Sequence, residues 1–214
     1  MDIDQIERLK PMEIEQRSFE IISQEAGDAI PDDERAMIIK RVIHTSADFD
    51  YIQNLCFSEN AVQIAQKALK NGAWIVTDTK MALSGINKKS LQLAGGEAHC
   101  FISDEDIAQA AKEQGTTRAS VCVDKAARLG RPLIYAVGNA PTALIRLYEL
   151  IRPGDVPSGA DHRCTGRLCQ CRQSKELIMQ TDVPYIVAKG RKGGSNVAAA
   201  ICNALLYQLD GSRK

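Results

Sequence analysis

Apolar residues recur along the chain at two spacings, one typical of helices and one typical of buried strands. Between Pro31 and His44 they return every three or four residues after an acidic first turn, which predicts a helix that ends at the histidine. A similar stripe follows Ser58, which can cap a second helix, and Gly72 stops it. Short continuous apolar runs lie between the stripes, and such runs are typical of buried parallel strands.

The alternation continues to the end of the chain. Strands are predicted at four apolar runs, which are Ala73–Thr77, His99–Ile102, Leu133–Val137 and Pro184–Ala188. Helices are predicted to begin at the capping box Ser103–Asp106, at Arg118, at the turn Gly138–Pro141 and at Ser195. This order predicts one α/β domain over residues 1–214, an open, mostly parallel sheet with helices on both faces. Ligands of such folds bind outside the carboxyl ends of the strands.

Composition and charge narrow the classes of partner. The chain has 214 residues, 44% of them hydrophobic, so it can bury a sizeable core. Its 27 basic and 27 acidic residues cancel, so no global field attracts nucleic acid or a membrane surface. The acidic start lacks the pattern of a secretory signal, and no apolar run approaches the roughly 20 residues that span a bilayer. We therefore expect a cytoplasmic protein without a nucleic-acid or membrane partner.

Four of the seven cysteines lie singly inside apolar segments, which is typical of reduced, buried thiols rather than of a disulfide framework. They are Cys56, Cys100, Cys122 and Cys202.

The loop Gly190–Ser195 joins a predicted strand to a helix start and is the first candidate for anion binding. It offers free backbone N–H groups, the positive end of a helix dipole, and the cations Lys189, Arg191 and Lys192. These features suit carboxylates or phosphates, although a solvated basic turn with glycines for backbone geometry has the same local sequence. The Gly-Lys-Ser/Thr order of a Walker loop is absent.

His44 is the candidate general acid. It lies at the carboxyl end of a predicted helix, where the dipole favours the protonated imidazole, and Thr45, Ser46 and Asp48 are nearby polar partners. A general acid needs such surroundings. A histidine that only caps the last carbonyls of the helix would have the same sequence context.

Three other polar segments follow predicted strands or open predicted helices. Gly138–Thr142 is a second glycine turn, which could serve only to reverse the chain. Asp78–Met81 follows a strand and Thr116–Arg118 opens a helix, and each could be a solvated turn. Arg118 could instead form bidentate hydrogen bonds with a substrate carboxylate, which a lysine does less specifically.

Six short motifs span nearly the whole chain in a fixed order. They are Glu15-Gln-Arg-Ser-Phe19, Arg41-Val-Ile-His44, Thr77-Asp-Thr-Lys-Met81, Thr117-Arg118, Gly138-Asn-Ala-Pro-Thr142 and Gly190-Arg-Lys-Gly-Gly-Ser195. In this order they resemble the precorrin-8X and cobalt-precorrin-8 methylmutases of vitamin B12 biosynthesis. Six motifs in family order are far more specific than any one of them.

The resemblance implies a flavodoxin-like fold and a homodimer that binds its tetrapyrrole substrate, a corrin precursor, at the subunit boundary. It implies an isomerase that moves a methyl group from carbon 11 to carbon 12 of (cobalt-)precorrin-8, giving (cobalt) cobyrinate or hydrogenobyrinate. His44 matches the family histidine that donates a proton to help the ring tautomerise, and Ser18 matches a substrate contact.

The substrate is expected to carry many carboxylates around an apolar macrocycle, so both anion contacts and apolar contacts are needed. The further predicted substrate contacts are Thr45, Asp78, Met81, Thr117, Arg118, Gly138, Asn139, Thr142, Arg191, Gly193, Gly194 and Ser195. A rearrangement needs no nucleophile, redox cofactor or catalytic metal, so no cofactor and no metal site are expected, and any cobalt arrives inside the substrate.

Two other functions are compatible with the sequence. Two glycine turns at helix starts suggest a nucleotide- or phosphosugar-binding α/β enzyme, which ATP or NAD should stabilise against heat. A non-catalytic corrinoid carrier would bind the coloured corrin but leave the substrate unconverted.

The stretch Asp155–Arg172 departs from both the family pattern and the alternation, because a strand is due there. A metal knuckle of His162, Cys164, Cys169 and Cys171 is one reading, although Cys-x4-Cys-x-Cys is not a usual zinc spacing. Back-translation of Ala160–Arg172 with permitted codons, read from the second base, gives Leu-Ile-Ile-Gly-Ala-Pro-Val-Gly-Phe-Val-Asn-Val-Val. That is an apolar strand and a glycine turn of the family's kind. We hypothesise that two compensating frame errors altered residues 155–172.

Overall fold

The computed structural model describes residues 10–152 and 167–211. Its helices are α1 Pro11–Ala26, α2 Arg35–Ser46, α3 Tyr51–Asn54, α4 Ala61–Lys70, α5 Lys80–Gly85, α6 Lys88–Leu93, α7 Glu105–Glu113, α8 Arg118–Ala127, α9 Pro141–Ile151, α10 Arg167–Met179 and α11 Ser195–Asp210. Its strands are β1 Leu55–Phe57, β2 Trp74–Thr77, β3 Ala98–His99, β4 Leu133–Ala136 and β5 Ile186–Ala188. The predicted α/β class is therefore confirmed.

The described strands form two small sheets. In the first, β2 lies between β3 and β4 and is parallel to both, with Val76 opposite His99 and Tyr135. In the second, β1 and β5 pair antiparallel, with Cys56 opposite Val187. The parallel arrangement is confirmed for β2, β3 and β4, although β3 ends at His99 and Cys100–Ile102 of the predicted strand lie outside it. β5 instead pairs with a strand that the sequence did not reveal. A single open sheet of flavodoxin-like topology stays a prediction.

Several helices begin at residues other than the predicted ones. In one case, the predicted capping group bonds to a distant part of the chain instead. Ser58 does not cap α4, because its hydroxyl accepts the backbone N–H of Tyr185 at 2.9 Å. The helix instead starts after Asn60, which has a positive φ of 54° and makes no side-chain cap. The capping box at Ser103–Asp106 does not form either, since α7 starts after Asp104 without a side-chain cap. The helix predicted over Pro31–His44 begins four residues later and runs two residues further.

Helix α11 is central to the core. Its sequence is apolar on nearly every side, which is typical of a helix surrounded by other elements. It packs against α2, α4, α5 and α6 and buries Leu205 and Leu206. Ile38, Ile43 and Ile75 from α2 and β2 belong to the same cluster. The start of this helix is thereby fixed against the carboxyl ends of the parallel strands.

The four cysteines predicted as reduced are free thiols, but only two are buried. Burial raises the pKa of Cys122 and of Cys202 to about 12, so both stay protonated. Cys56 and Cys100 are half-buried. Within the described ranges, no helix is long and apolar enough to cross a membrane.

The stretch hypothesised to carry frame errors falls mostly outside the described residues, which resume at position 167. His162 and Cys164 of the metal-knuckle reading lie outside them as well. Residues 167–172 form the first turns of α10, so the strand expected there is not found in this part of the stretch.

Candidate active site

His44 lies in the last turn of α2 and contacts Ser18 of α1. The Ser18 hydroxyl and His44 Nδ1 are 2.7 Å apart, and the edge of the Phe19 ring meets the imidazole with centroids 5.6 Å apart. The imidazole is exposed, and its Nε2 has no hydrogen-bond partner among the described residues. The first two motifs therefore meet, and they present one free ring nitrogen to the surface.

A buried arginine holds this contact together. Arg41 is 6% exposed and donates to Glu15 Oε1 at 2.6 Å. Its guanidinium lies between the rings of Phe19 and Tyr207, 5.1 Å and 4.6 Å from their centroids. Such cation–π contacts are stronger when desolvated. Arg41 thus fixes α1 and α11 to α2, and through Phe19 it supports the position of His44.

Asp78 follows β2 and organises the glycine turn after β4. Its side chain is 2% exposed, and its carboxylate accepts the N–H groups of Gly138, Asn139 and Ala140 at 2.7–2.8 Å. Helix α9 has no side-chain cap of its own, so this carboxylate also provides the negative charge that a helix start favours. The amides of the turn are therefore occupied by Asp78.

Gly138 lies directly against the start of α11. A Cβ at this position would come within 2.5 Å of Ser195 Cα and 2.7 Å of Ser195 N, and the φ of Gly138 is not positive. The glycine therefore provides room for a close backbone approach, not the conformational freedom of a chain reversal. The hydroxyl of Ser195 lies 2.7 Å from the Thr79 hydroxyl.

The loop Gly190–Ser195 is held from both sides. Lys192 Nζ lies 2.6 Å from Asp48 and 2.5 Å from Asp50, and these contacts raise the pKa of the lysine. Lys175 of α10 donates to the carbonyls of Gly190 and Lys192, while burial lowers the pKa of its ammonium. Lys192 is one of the three cations predicted to bind an anion, but two carboxylates neutralise it. The local sequence could not show this pairing.

Thr117 and Thr142 belong to different motifs and are bonded to each other. Thr117 caps α8 by accepting Ser120 N at 3.2 Å, and its hydroxyl donates to Thr142 Oγ1 at 2.8 Å. Arg118 follows at the start of α8, is exposed, and has no ion-pair partner among the described residues. Met81 is 72% exposed, as is Leu93.

Contacts between these segments join all six motifs into one connected set. The Ser18–His44 contact joins the first two, and the loop after α2 reaches the sixth through Lys192. The sixth motif touches the third and the fifth at Ser195, and the fifth touches the fourth at Thr142. Among the remaining predicted site residues, Thr45 donates to the Arg41 carbonyl, Arg191 is exposed, and Gly193 and Gly194 have positive φ values of 145° and 131°.

Sequence reasoning did not single out Lys175, Thr79 or Arg41 as parts of this site. Arg41 lies inside a recognised motif, and its place on an otherwise apolar helix face is a signal of burial with a partner. Lys175 carries no comparable local signal. In the described part of the chain, no group of three or more His, Cys, Asp or Glu could hold a metal ion.

Comparisons with known proteins identify the family to which the chain belongs. A family model described as precorrin-8X methylmutase matches residues 13–208. Cobalt-precorrin-8 methylmutase of Salmonella typhimurium is 46% identical over 206 residues, covering 94% of this chain and 96% of the relative. Precorrin-8X methylmutase of Pseudomonas aeruginosa is 33% identical and covers 92% and 95%.

The solved structure of precorrin-8x methyl mutase from Thermus thermophilus has a TM-score of 0.78 and 33% sequence identity, and it covers 94% of this chain and 99% of that one. Since sequence and structure match over nearly the full length, this chain belongs to the precorrin-8X methylmutase family and is an enzyme of the isomerase class.

Proposed function

We propose that this enzyme moves a methyl group from carbon 11 to carbon 12 of cobalt-precorrin-8 or precorrin-8X in vitamin B12 biosynthesis, with His44 as the proton donor. The exposed His44–Ser18 pair is the observation that carries the proposal. Relatives named for this substrate, including one at 46% identity, support the choice of substrate. Any cobalt belongs to the substrate, and no cofactor takes part.

The position of His44 suits a proton donor. It lies in the last turn of α2, and Nε2 is the nitrogen left free to reach the ring of the substrate. Because substrate and product are isomers, the proton that assists tautomerisation is recovered when the product tautomer forms. The histidine therefore ends the turnover in its starting state.

Ser18 is a suitable partner for both states of this histidine. When Nε2 donates its proton, Nδ1 keeps its own hydrogen in both the imidazolium and the neutral ring, so the Ser18 hydroxyl accepts a hydrogen bond from Nδ1–H in both states. The 2.7 Å contact can therefore persist while Nε2 gains and loses its proton. Ser18 holds the ring orientation, and its place beside His44 also supports the predicted contact with substrate.

Binding of the macrocycle is divided between charged and apolar residues. Arg118 and Arg191 are exposed cations that we assign to substrate carboxylates, and Met81 we assign to the apolar face of the ring. Thr45, Thr117 and Thr142 add hydroxyl groups. Asp78, Gly138, Asn139, Gly193, Gly194 and Ser195 shape the rim of this site through the backbone contacts described above.

The finer features implied by the resemblance belong to the same proposal. We propose a cytoplasmic homodimer that binds substrate at the subunit boundary, built on a flavodoxin-like open sheet. The exposure of Met81 supports a surface that is covered in the assembled enzyme or by substrate.

Replacement of the histidine tests the proton donor. His44→Ala should abolish conversion of the methylated precursor, followed by absorption, while hydrogenobyrinate binding stays within about threefold, because proton transfer and not anchoring is lost. His99→Gln is the matched control, since His99 stacks on Trp74 and lies outside the proposed site. Turnover of His44→Ala at the wild-type rate would falsify the assignment.

Binding and stability measurements on the unmodified protein distinguish this enzyme from the two alternative functions, a corrinoid carrier and a nucleotide-binding enzyme. Binding of the corrin without conversion by the unmodified protein would identify a carrier. Stabilisation by ATP or NAD, without corrin binding, would identify a nucleotide enzyme.

A further inference from the structure

The loop Gly190–Ser195 is fixed at its two ends by backbone contacts. Just before it, Lys189 donates its N–H to the Asn54 carbonyl at 2.7 Å, and at the other end the start of α11 packs against the exits of β2 and β4. In between, Gly193 and Gly194 have positive φ values of 145° and 131°. Because glycine has many accessible conformations, side-chain contacts are needed to hold the middle of this loop in one of them.

Lys192 joins the middle of the loop to the segment that follows α2. Its Nζ lies 2.6 Å from an Asp48 oxygen and 2.5 Å from an Asp50 oxygen. The second oxygen of Asp48 accepts the N–H of Asp50 at 3.0 Å, so this carboxylate is oriented by its own segment. We call Lys192, Asp48 and Asp50 the lysine clamp.

The segment that carries the two carboxylates is fixed to the helix that carries His44. Ala47 ends α2 in a left-handed conformation with a φ of 53° and donates its N–H to the Ile43 carbonyl at 2.7 Å. Phe49 packs against the main hydrophobic core. Asp48 therefore lies four residues after His44 on a held backbone, and the lysine clamp ties the loop to the element that positions the proposed proton donor.

The same chemical arrangement recurs far from the His44–Ser18 pair, where it joins two other elements. Lys125, in the last turn of α8, lies 2.8 Å from Asp104 and 2.9 Å from Asp106 at the start of α7. The Lys125 and Lys192 side chains are 32% and 40% exposed, and ion pairs with such exposure contribute little to global stability. The two arrangements therefore differ mainly in the elements that they connect.

We propose that Lys192 is a positioning residue, whose clamp holds the glycine loop in register with His44 so that a macrocycle bound at the loop meets Nε2 in the reactive orientation. This inference rests on the proposed function, because it takes both the substrate and the proton donor from there. Proton transfer needs the donor within hydrogen-bond reach of the accepting atom, and a displacement of about 1 Å can lower a rate about a hundredfold. Lys192 itself does not contact the substrate.

Removal of the ammonium tests the lysine clamp. Lys192→Gln should lower kcat about tenfold to hundredfold, while the dissociation constant of hydrogenobyrinate stays within about threefold, because substrate still binds but is presented less accurately. Lys192→Arg should restore most of kcat, since a guanidinium can bond to both carboxylates. Lys125→Gln is the matched control. It should keep kcat, and its change in urea denaturation should be as small as that of Lys192→Gln.

Neutralising the carboxylates separates positioning from direct binding. Asp48→Asn/Asp50→Asn should reproduce the loss of kcat, and adding Lys192→Gln to it should lower kcat little further, because the three residues act through one contact. A lysine that bound substrate directly would instead be freed by this double variant, which would then bind hydrogenobyrinate more tightly than the unmodified enzyme.

Three results would overturn the proposal: tighter binding by the double variant, unchanged kcat in Lys192→Gln, or an equal loss of kcat in Lys125→Gln. Failure of the unmodified enzyme to convert the precursor would refute the proposed function itself. That result is obtained without any variant, so the two failures are distinct.

Discussion

The residues of the family motifs fall into two sets that differ in how their polar groups are satisfied. At the polar junction, formed by Asp78, Thr79, Gly138–Ala140 and Ser195, side chains and amides bond to one another across three elements. In the exposed set, formed by His44, Met81, Arg118 and Arg191 together with Lys189 just before the sixth motif, one ring nitrogen, three cations and an apolar side chain are exposed. The sequence alone does not distinguish the two sets, because both consist mainly of polar residues and glycines near the ends of helices and strands.

The difference shows how the site is built. An unpaired buried polar group is costly, so the carboxylate and amides of the polar junction satisfy each other and make a rigid frame. The residues of the exposed set keep groups that are not satisfied among the described residues, as groups that bind a ligand would need. We therefore expect the polar junction to position the site, and the exposed set to bind substrate or take part in the chemistry.

The largest expected effect concerns the stretch at positions 155–172, which neither set includes. Replacing residues 160–172 with the sequence read in the alternative frame should raise the free energy of unfolding by more than about 5 kcal/mol, because several apolar side chains each contribute roughly 1.5–3 kcal/mol when buried. Urea denaturation of both chains measures this. Resequencing of the gene from independent isolates provides a second test. A continuous reading frame, together with normal mutase activity of the chain as written, would contradict the frame-error hypothesis.

Removing the central carboxylate of the polar junction should have the next largest effect. Asp78→Ala leaves three amides without their acceptor, and each such loss costs about 1–3 kcal/mol, so a destabilisation of at least about 3 kcal/mol is expected in urea denaturation. Asp182→Ala is the control, because that carboxylate is fully exposed and should change stability by less than about 0.5 kcal/mol.

A second outcome would show that Asp78 belongs with the residues of the exposed set. If Asp78→Ala unfolds like the unmodified enzyme but loses affinity for hydrogenobyrinate, its carboxylate contacts substrate directly, as the sequence alone suggested. Asp78→Asn keeps one acceptor oxygen. Its free energy of unfolding should therefore lie between those of Asp78→Ala and the unmodified enzyme, and it should remain folded if the alanine variant does not.

Much of the fold follows from local pattern, and the exceptions have a physical reason. The apolar runs that form β2 and β4 and the stripes of α2 and α8 are visible because each element buries one continuous surface. β1 escaped prediction because three residues carry little periodicity and their partner, β5, lies far away along the chain. Ser58 was misread for the same reason, since its hydroxyl serves a distant backbone group.

The roles of the predicted site residues stay predictions, and the contacts among them could not be predicted from the sequence. In the structure His44 contacts Ser18, and the two glycine turns meet at Ser195, so these segments lie in one connected set. No local signal reveals that Asp78 occupies the amides of the second turn or that Lys192 faces two carboxylates. Such pairings join residues more than fifty positions apart, and only the folded chain shows them.

The smallest expected effect tests the exposed set at Arg118. Arg118→Lys keeps the charge but replaces a planar, bidentate donor with a point charge, so hydrogenobyrinate should bind about tenfold more weakly, which corresponds to roughly 1.4 kcal/mol. Stability should not change, because the side chain is exposed at the start of α8 and makes no ion pair with the described residues. Arg128→Lys, at the opposite end of the same helix, controls for a general preference for arginine. Titration followed by absorption measures both constants. Equal affinities for Arg118→Lys and the unmodified enzyme would make Arg118 a solvated helix residue, and carboxylate binding in the exposed set would then depend on Lys189 and Arg191.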